Sequence, residues 1–141
     1  MAALLSLAAC KRDDDPASPI LGTWKFTGGK FISGANGTEL ATHTASNCEG
    51  QNTFVFKADG TAVETKYSLS GSNCVVDRTT NYTYSYNATT KELTLTENGG
   101  TPQTKEVIKL DNNTFEYVHF FYDQNGDGVL DKGVSIYTKV N

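Results

Sequence analysis

The sequence predicts an all-β domain: an antiparallel up-and-down meander of eight to nine strands closing into a β-barrel. Three observations carry this. Segments such as Asn81-Tyr-Thr-Tyr-Ser-Tyr86, Glu92-Leu-Thr-Leu-Thr96 and Ser135-Ile-Tyr-Thr-Lys-Val140 alternate large and polar residues, the period of a sheet with one face in a core. The breaks between such runs are short and rich in Asp-Gly and Asn-Gly, which supply the positive φ that tight hairpins need. No helical stripe of useful length interrupts them. Strands in a meander leave two open edges unless the sheet closes, and a barrel removes them; a two-sheet sandwich is the alternative.

Taken in order, the pattern predicts strands near 21–31 and 37–44, separated by Gly34-Ala-Asn-Gly37. The runs 52–58 and 61–69 flank Ala58-Asp-Gly-Thr61, and 78–87 and 91–97 flank Asn87-Ala-Thr-Thr-Lys91. The run 103–110 follows Asn98-Gly-Gly100, 113–122 follows Asp111-Asn-Asn113, and 133–140 closes the series. Short connections make successive strands antiparallel neighbours.

A chain of 141 residues with 38% hydrophobic residues holds one domain with a real core. The net charge of −4, with no basic cluster beyond Lys11-Arg12, argues against a nucleic-acid surface. No segment reaches the roughly 18 apolar residues that span a bilayer. Membrane attachment is therefore expected only through the N-terminus.

There, Leu7-Ala8-Ala9-Cys10 resembles a bacterial lipobox, with a branched residue at −3, small residues before the cleavage point and Cys at +1. The resemblance implies that residues 1–9 are a signal peptide, shortened at its start, and that Cys10 carries the lipid. Lys11-Arg12-Asp13-Asp14-Asp15 is similar to the charged tag that sends lipoproteins of the Bacteroides and Flavobacterium group to the cell surface. A solvated, extended tether is the plainer reading of the same charges. The expected organisation is a signal peptide at 1–9, a lipidated and Pro-stiffened tether at 10–19 and a barrel at 20–141. The expected location is the outer membrane, surface-exposed, with a periplasm-facing placement as the alternative.

Leu21-Gly22-Thr23-Trp24-Lys25-Phe26 resembles the Gly-x-Trp opening of lipocalins, and Thr53-Phe-Val-Phe-Lys-Ala-Asp-Gly-Thr61 is similar to the strand–turn–strand of bacterial lipocalin-like lipoproteins. Lys91-Glu-Leu-Thr-Leu95 and Ile108-Lys-Leu-Asp-Asn-Asn-Thr-Phe115 match later hairpins of that group. The resemblance implies a lipocalin-like barrel with Trp24 plugging its closed end. No late Arg is found to stack on that Trp.

With Cys10 lipidated, Cys48 and Cys74 remain as a pair in an exported protein, where disulfides persist. Both lie in polar, loop-like contexts flanking the Asp59-Gly60 hairpin. They are read as a disulfide bracing that hairpin or as two free thiols.

The segment Asp123-Gln-Asn125-Gly-Asp127-Gly128-Val129-Leu130-Asp131 has the oxygen spacing of a calcium loop. Asp123, Asn125, Asp127 and Asp131 offer side chains and Val129 a carbonyl. Val134 stands where a bidentate Glu is usual, and the flanks read as strands, so weak Ca2+ binding or a plain polar hairpin loop is expected.

No nucleophile, phosphate-loop or metalloprotease motif occurs, and His43 and His119 sit in no catalytic pattern. The chain is expected not to be an enzyme, to be monomeric, and to bind no nucleic acid. Two function classes stay open. One is a lipid-anchored carrier of a small apolar ligand, with Trp24, Phe54, Phe56, Tyr82, Tyr84 and Tyr86 lining a hollow barrel. The other is a solid barrel whose loops, one stiffened by calcium, dock a partner.

Overall fold

The computed structural model describes residues 18–140. The signal-peptide and lipidation readings, Cys10 included, lie outside the described residues. Nine strands follow one another: β1 (Gly22–Ile32), β2 (Glu39–Thr44), β3 (Thr53–Phe56), β4 (Thr61–Ser70), β5 (Asn73–Asn87), β6 (Glu92–Glu97), β7 (Gln103–Leu110), β8 (Thr114–Tyr122) and β9 (Asp131–Val140). A single 3-10 turn, Glu49–Gln51, stands between β2 and β3. Among the described residues no helix is long and apolar enough to cross a membrane.

All pairings are antiparallel, and β1 pairs with β9 as well as with β3, which closes β1 and β3 through β9 into an eight-stranded barrel. The expected architecture is present, with one modification. The first half of β1 pairs with β3 (Gly22 opposite Phe56) and its second half with β2 (Gly28 opposite Thr44). Thus β2 and β3 are two halves of one neighbour of β1, split by an excursion through residues 45–52. Gly28 makes this possible: with φ +152° and the His43 carbonyl oxygen against the position of its missing Cβ, no side chain fits there.

The hairpin turns at one end are fixed by side chains accepting from their own backbone. Asp59 Oδ1 accepts from the Thr61 amide at 2.9 Å and its hydroxyl at 2.6 Å; Asn87 Oδ1 accepts from Thr89 and Thr90; Asp111 Oδ1 accepts from Asn113 and Thr114. This end is closed by the core. Trp24, Phe56, Phe115, Leu93 and Ile20 are buried together, with Trp24 and Phe115 ring centres 5.6 Å apart. The Trp24 indole N–H donates to the Ile20 carbonyl at 2.8 Å. Where the sequence offered no late Arg for Trp24, Lys139 supplies the cation, its ammonium 5.1 Å from the ring centre.

Four boundaries move by two residues or more from the sequence reading: β2 begins at Glu39 rather than 37, β3 ends at Phe56 rather than 58, and the starts of β5 and β9 shift. β5 begins at Asn73, not near 78, because Gly71 (φ +63°) turns β4 directly into β5 and the hairpin runs on past the barrel wall. Cys74 therefore lies in a strand, not a loop. It bonds to Cys48 in the 45–52 excursion, Cα atoms 5.2 Å apart, tying the hairpin tip to the split between β2 and β3. β9 likewise starts two residues early, at Asp131.

Candidate functional site

Inward and outward positions follow from register. Trp24, Phe26, Phe54, Phe56, Tyr117 and Tyr137 belong to or pack on the core, so alternate positions on the same strands also face inward. On β4 the inward set is Ala62, Glu64 and Lys66: Glu64 pairs with Phe54 and Ala62 with Phe56 across the β3–β4 ladder. On β7 it includes Lys105 and Val107, and on β8 Tyr117 is followed by His119 at a bulge.

These side chains meet at the end opposite Trp24, where aromatic filling gives way to a cavity of about 320 Å³. Phe54, Glu64, Tyr82, Leu95 and Tyr117 form its depth, while Glu97, Gln103, Lys105, His119 and the Gly100-Thr101 turn stand around the rest. Glu64 is buried, its side chain only 10% exposed. Tyr82 Oη donates to Glu64 Oε1 at 3.3 Å, and the Lys66 ammonium stands 3.9 Å from Oε2, beyond hydrogen-bonding distance. Lys105 Nζ donates to the His119 carbonyl at 3.1 Å, and Arg78, directly across from Lys66, donates to Glu97 at 3.3 Å, both side chains largely exposed. Tyr117 Oη and His119 Nδ1 are 3.3 Å apart.

The electrostatics are those of a half-dry polar pocket. Burial, followed by the Glu64 charge, pushes the Tyr82 phenol up to about 12. Tyr117 and Tyr137 are raised as well, again chiefly by burial, so all three phenols stay protonated at neutral pH. His119 is lowered by burial first and by Lys66 and Lys105 second, and stands neutral. Beside it lies a second, more apolar recess of about 460 Å³ between Phe26, Phe31, Ala41, His43 and Phe120. The two are neighbours: Tyr117 of the first pairs with Ser135 of the second, and the His119 and Phe120 ring centres are 5.7 Å apart.

Of the six residues expected to line a pocket, Phe54 and Tyr82 reach the cavity. Trp24 and Phe56 are core packing at the closed end. Tyr84 packs its ring edge on Phe56 and donates its hydroxyl to the Lys57 carbonyl, and Tyr86 packs against the same core from a half-buried position. Sequence reasoning missed Glu97, Gln103, Lys105 and Tyr117 as lining residues, and it placed His119 in no catalytic pattern.

The 123–131 loop is closed by its own amides. Asp123 Oδ1 accepts from Gly126 (2.8 Å) and Asp127 (3.1 Å), and Oδ2 from Gly128 (2.9 Å). Asn125 Oδ1 accepts from Asp127, and Asp127 Oδ1 from Val129. Asp131 is fully buried at the loop's root, where Oδ1 accepts from Gly34 at 3.0 Å and Oδ2 from Gln124 at 2.8 Å. Among the described residues no three His, Cys, Asp or Glu side chains stand together to hold a metal, the aspartates of this loop included.

No curated protein matches the chain. A family model described as a lipocalin-like domain matches residues 20–117, from the buried Ile20 through β7 to the middle of β8. Those residues carry the Trp24 plug, the Asp59 hairpin and most of the cavity wall, and with the barrel closed by β9 the chain belongs to the lipocalin-like domain family.

Proposed function

We propose that this chain is a lipid-anchored, non-catalytic binding module of the outer membrane, holding a small ligand in the open half of its barrel. The observation that carries the reading is the change in filling along the barrel: solid aromatic packing around Trp24, then a cavity of about 320 Å³ with convergent polar groups. The Cys10 lipobox resemblance supports the anchor. Ser18 and Ile20 lead into the closed end, since Ile20 packs beneath Trp24. The eight residues from Cys10 to Ser18 reach at most about 28 Å, so a lipid on Cys10 sets the closed end toward the membrane and the mouth away from it.

A second reading, docking of a partner protein, is favoured by one observation: Phe120, Phe121, Tyr122 and Leu130 are 46–60% exposed around the mouth. Native mass spectrometry of the full chain extracted in mild detergent from its own host separates the two. A recurrent small co-purifying mass supports the carrier, and a bare mass in repeated preparations moves the assignment to the docking module. For the anchor, the wild-type chain is expected in the detergent phase and Cys10→Ala in the aqueous phase; equal partitioning defeats lipidation.

A further inference from the structure

Polar cavities in small barrels are selective by the charge they hold at depth, because a buried charge is matched by an opposite one more strongly than by water-like neutral groups. The deepest ionisable carboxyl here is Glu64, on the inner face of β4. One of its oxygens, Oε1, accepts from Tyr82; the other, Oε2, faces Lys66 at 3.9 Å, too far for a hydrogen bond. A carboxylate has about four acceptor sites, so a further donor has a place to bind. Around it stand aromatic rings: Phe54 lies 5.8 Å from Tyr82 and 6.2 Å from Tyr137, and Tyr117 stacks 6.1 Å from Tyr137. Their faces attract cations and leave anions unsolvated.

Lys66 reaches Glu64 Oε2 only across 3.9 Å and is almost half exposed to solvent, so a closer donor can compete with it; Lys105 donates to the His119 carbonyl, and Arg78 pairs with Glu97. The His119 ring, with its proton affinity reduced by burial and by the two lysines, adds no charge at neutral pH. The cavity therefore presents two carboxylates, Glu64 at depth and Glu97 toward the rim, among neutral phenols, and the recess beside it accepts an apolar body.

We propose that the cavity binds a small organic ammonium ion, its N–H groups donating to Glu64 and its apolar part resting on Phe54, Tyr82 and Tyr117. This rests on the carrier reading and narrows it from an apolar ligand to a cationic amphiphile.

Calorimetric titration of the full chain in detergent with three probes of matched size tests it: 2-phenylethylamine, 2-phenylethanol and 3-phenylpropionate. The expected result is preference for the ammonium over both others by about tenfold or more, the scale of one charge-assisted bond, and loss of that preference in Glu64→Gln at unchanged melting temperature. If Glu64→Gln unfolds, the order of the three probes on the wild-type chain still decides. Equal binding of all three, or preference for the carboxylate, overturns the ammonium assignment and leaves the carrier reading standing. Failure of all three to bind, with a bare mass from the native host, removes both.

Discussion

At the scale of single residues, the fold depends on carboxylates that accept from backbone amides. Asp131 is held below the ordinary carboxylate range first by the Gly34 amide and then by Gln124 and Asn125; Asp111 by the amides of Asn113 and Thr114; Asp59 by the hydroxyl and amide of Thr61. A folded state that binds these protons less tightly than the unfolded chain gains stability wherever the unfolded carboxyls are ionised. That contribution is full above about pH 4 and is lost as pH falls through the lower folded values. Thermal melts of wild type and Asp131→Asn across pH 2–7 (roughly the window that spans both states) are expected to differ most at neutral pH and to converge in acid. A constant gap would mean that Asp131 acts by shape alone. The neighbouring Asp123 closes its loop with three amide bonds. Asp123→Ala is therefore expected to lower the melting temperature equally with calcium or with chelator, and a calcium-dependent rise in the wild type would restore an ion to the loop.

Among the elements, the β4–β5 hairpin is the one whose stability is not its own. Its tip carries Leu69, Val75 and Val76, all exposed, so little packing holds it. The Cys48–Cys74 bond spans 26 residues, for which chain entropy gives about 3.5 kcal/mol. The double variant Cys48→Ala, Cys74→Ala is expected to lose roughly 3 kcal/mol in urea unfolding, with faster amide exchange confined to residues 68–76 and the 45–52 excursion. An unchanged midpoint would show that the bond is ornamental to the barrel. The same hairpin shows where the sequence was legible and where it was not. Turns could be read because Asp59, Asn87 and Asp111 act locally on the next few residues. On β4, however, the binary pattern points the wrong way: Val63, Thr65 and Tyr67 look like the core face, yet Ala62, Glu64 and Lys66 are inside. An inward Glu is favoured only by what surrounds it, and Tyr82, Tyr117 and Tyr137 arrive from three other strands. The aromatic half of the barrel obeys the rule that large residues face in, so Trp24, Phe54 and Phe56 were legible as interior. The site breaks that rule, and its polar half was therefore invisible to periodicity.

For the whole molecule, closure is the decisive event, and it rests on the last strand. β9 pairs with β1 from Thr23 to Ile32 on one side and with β8 from Thr114 to Tyr122 on the other, so it forms both seams. It also brings Tyr137 into the core, where the ring contacts Phe26, Phe54 and Phe115, and Asp131 to the root of the 123–131 loop. The family match ends at residue 117, before any of this. A chain ending at residue 130 would contain every residue of that match and every residue lining the 320 Å³ cavity, yet it would leave β1 and the aromatic-rich β8 each with an unpaired edge. Such a chain is expected to lose its cooperative thermal transition and to aggregate, as followed by near-ultraviolet circular dichroism and size-exclusion chromatography. Adding residues 131–141 as a separate peptide should recover the transition if the seams alone are missing. A truncated chain that stays monomeric and melts cooperatively would show instead that the sheet is stable open, and the cavity would then owe its shape to the β3–β8 wall rather than to the closed ring.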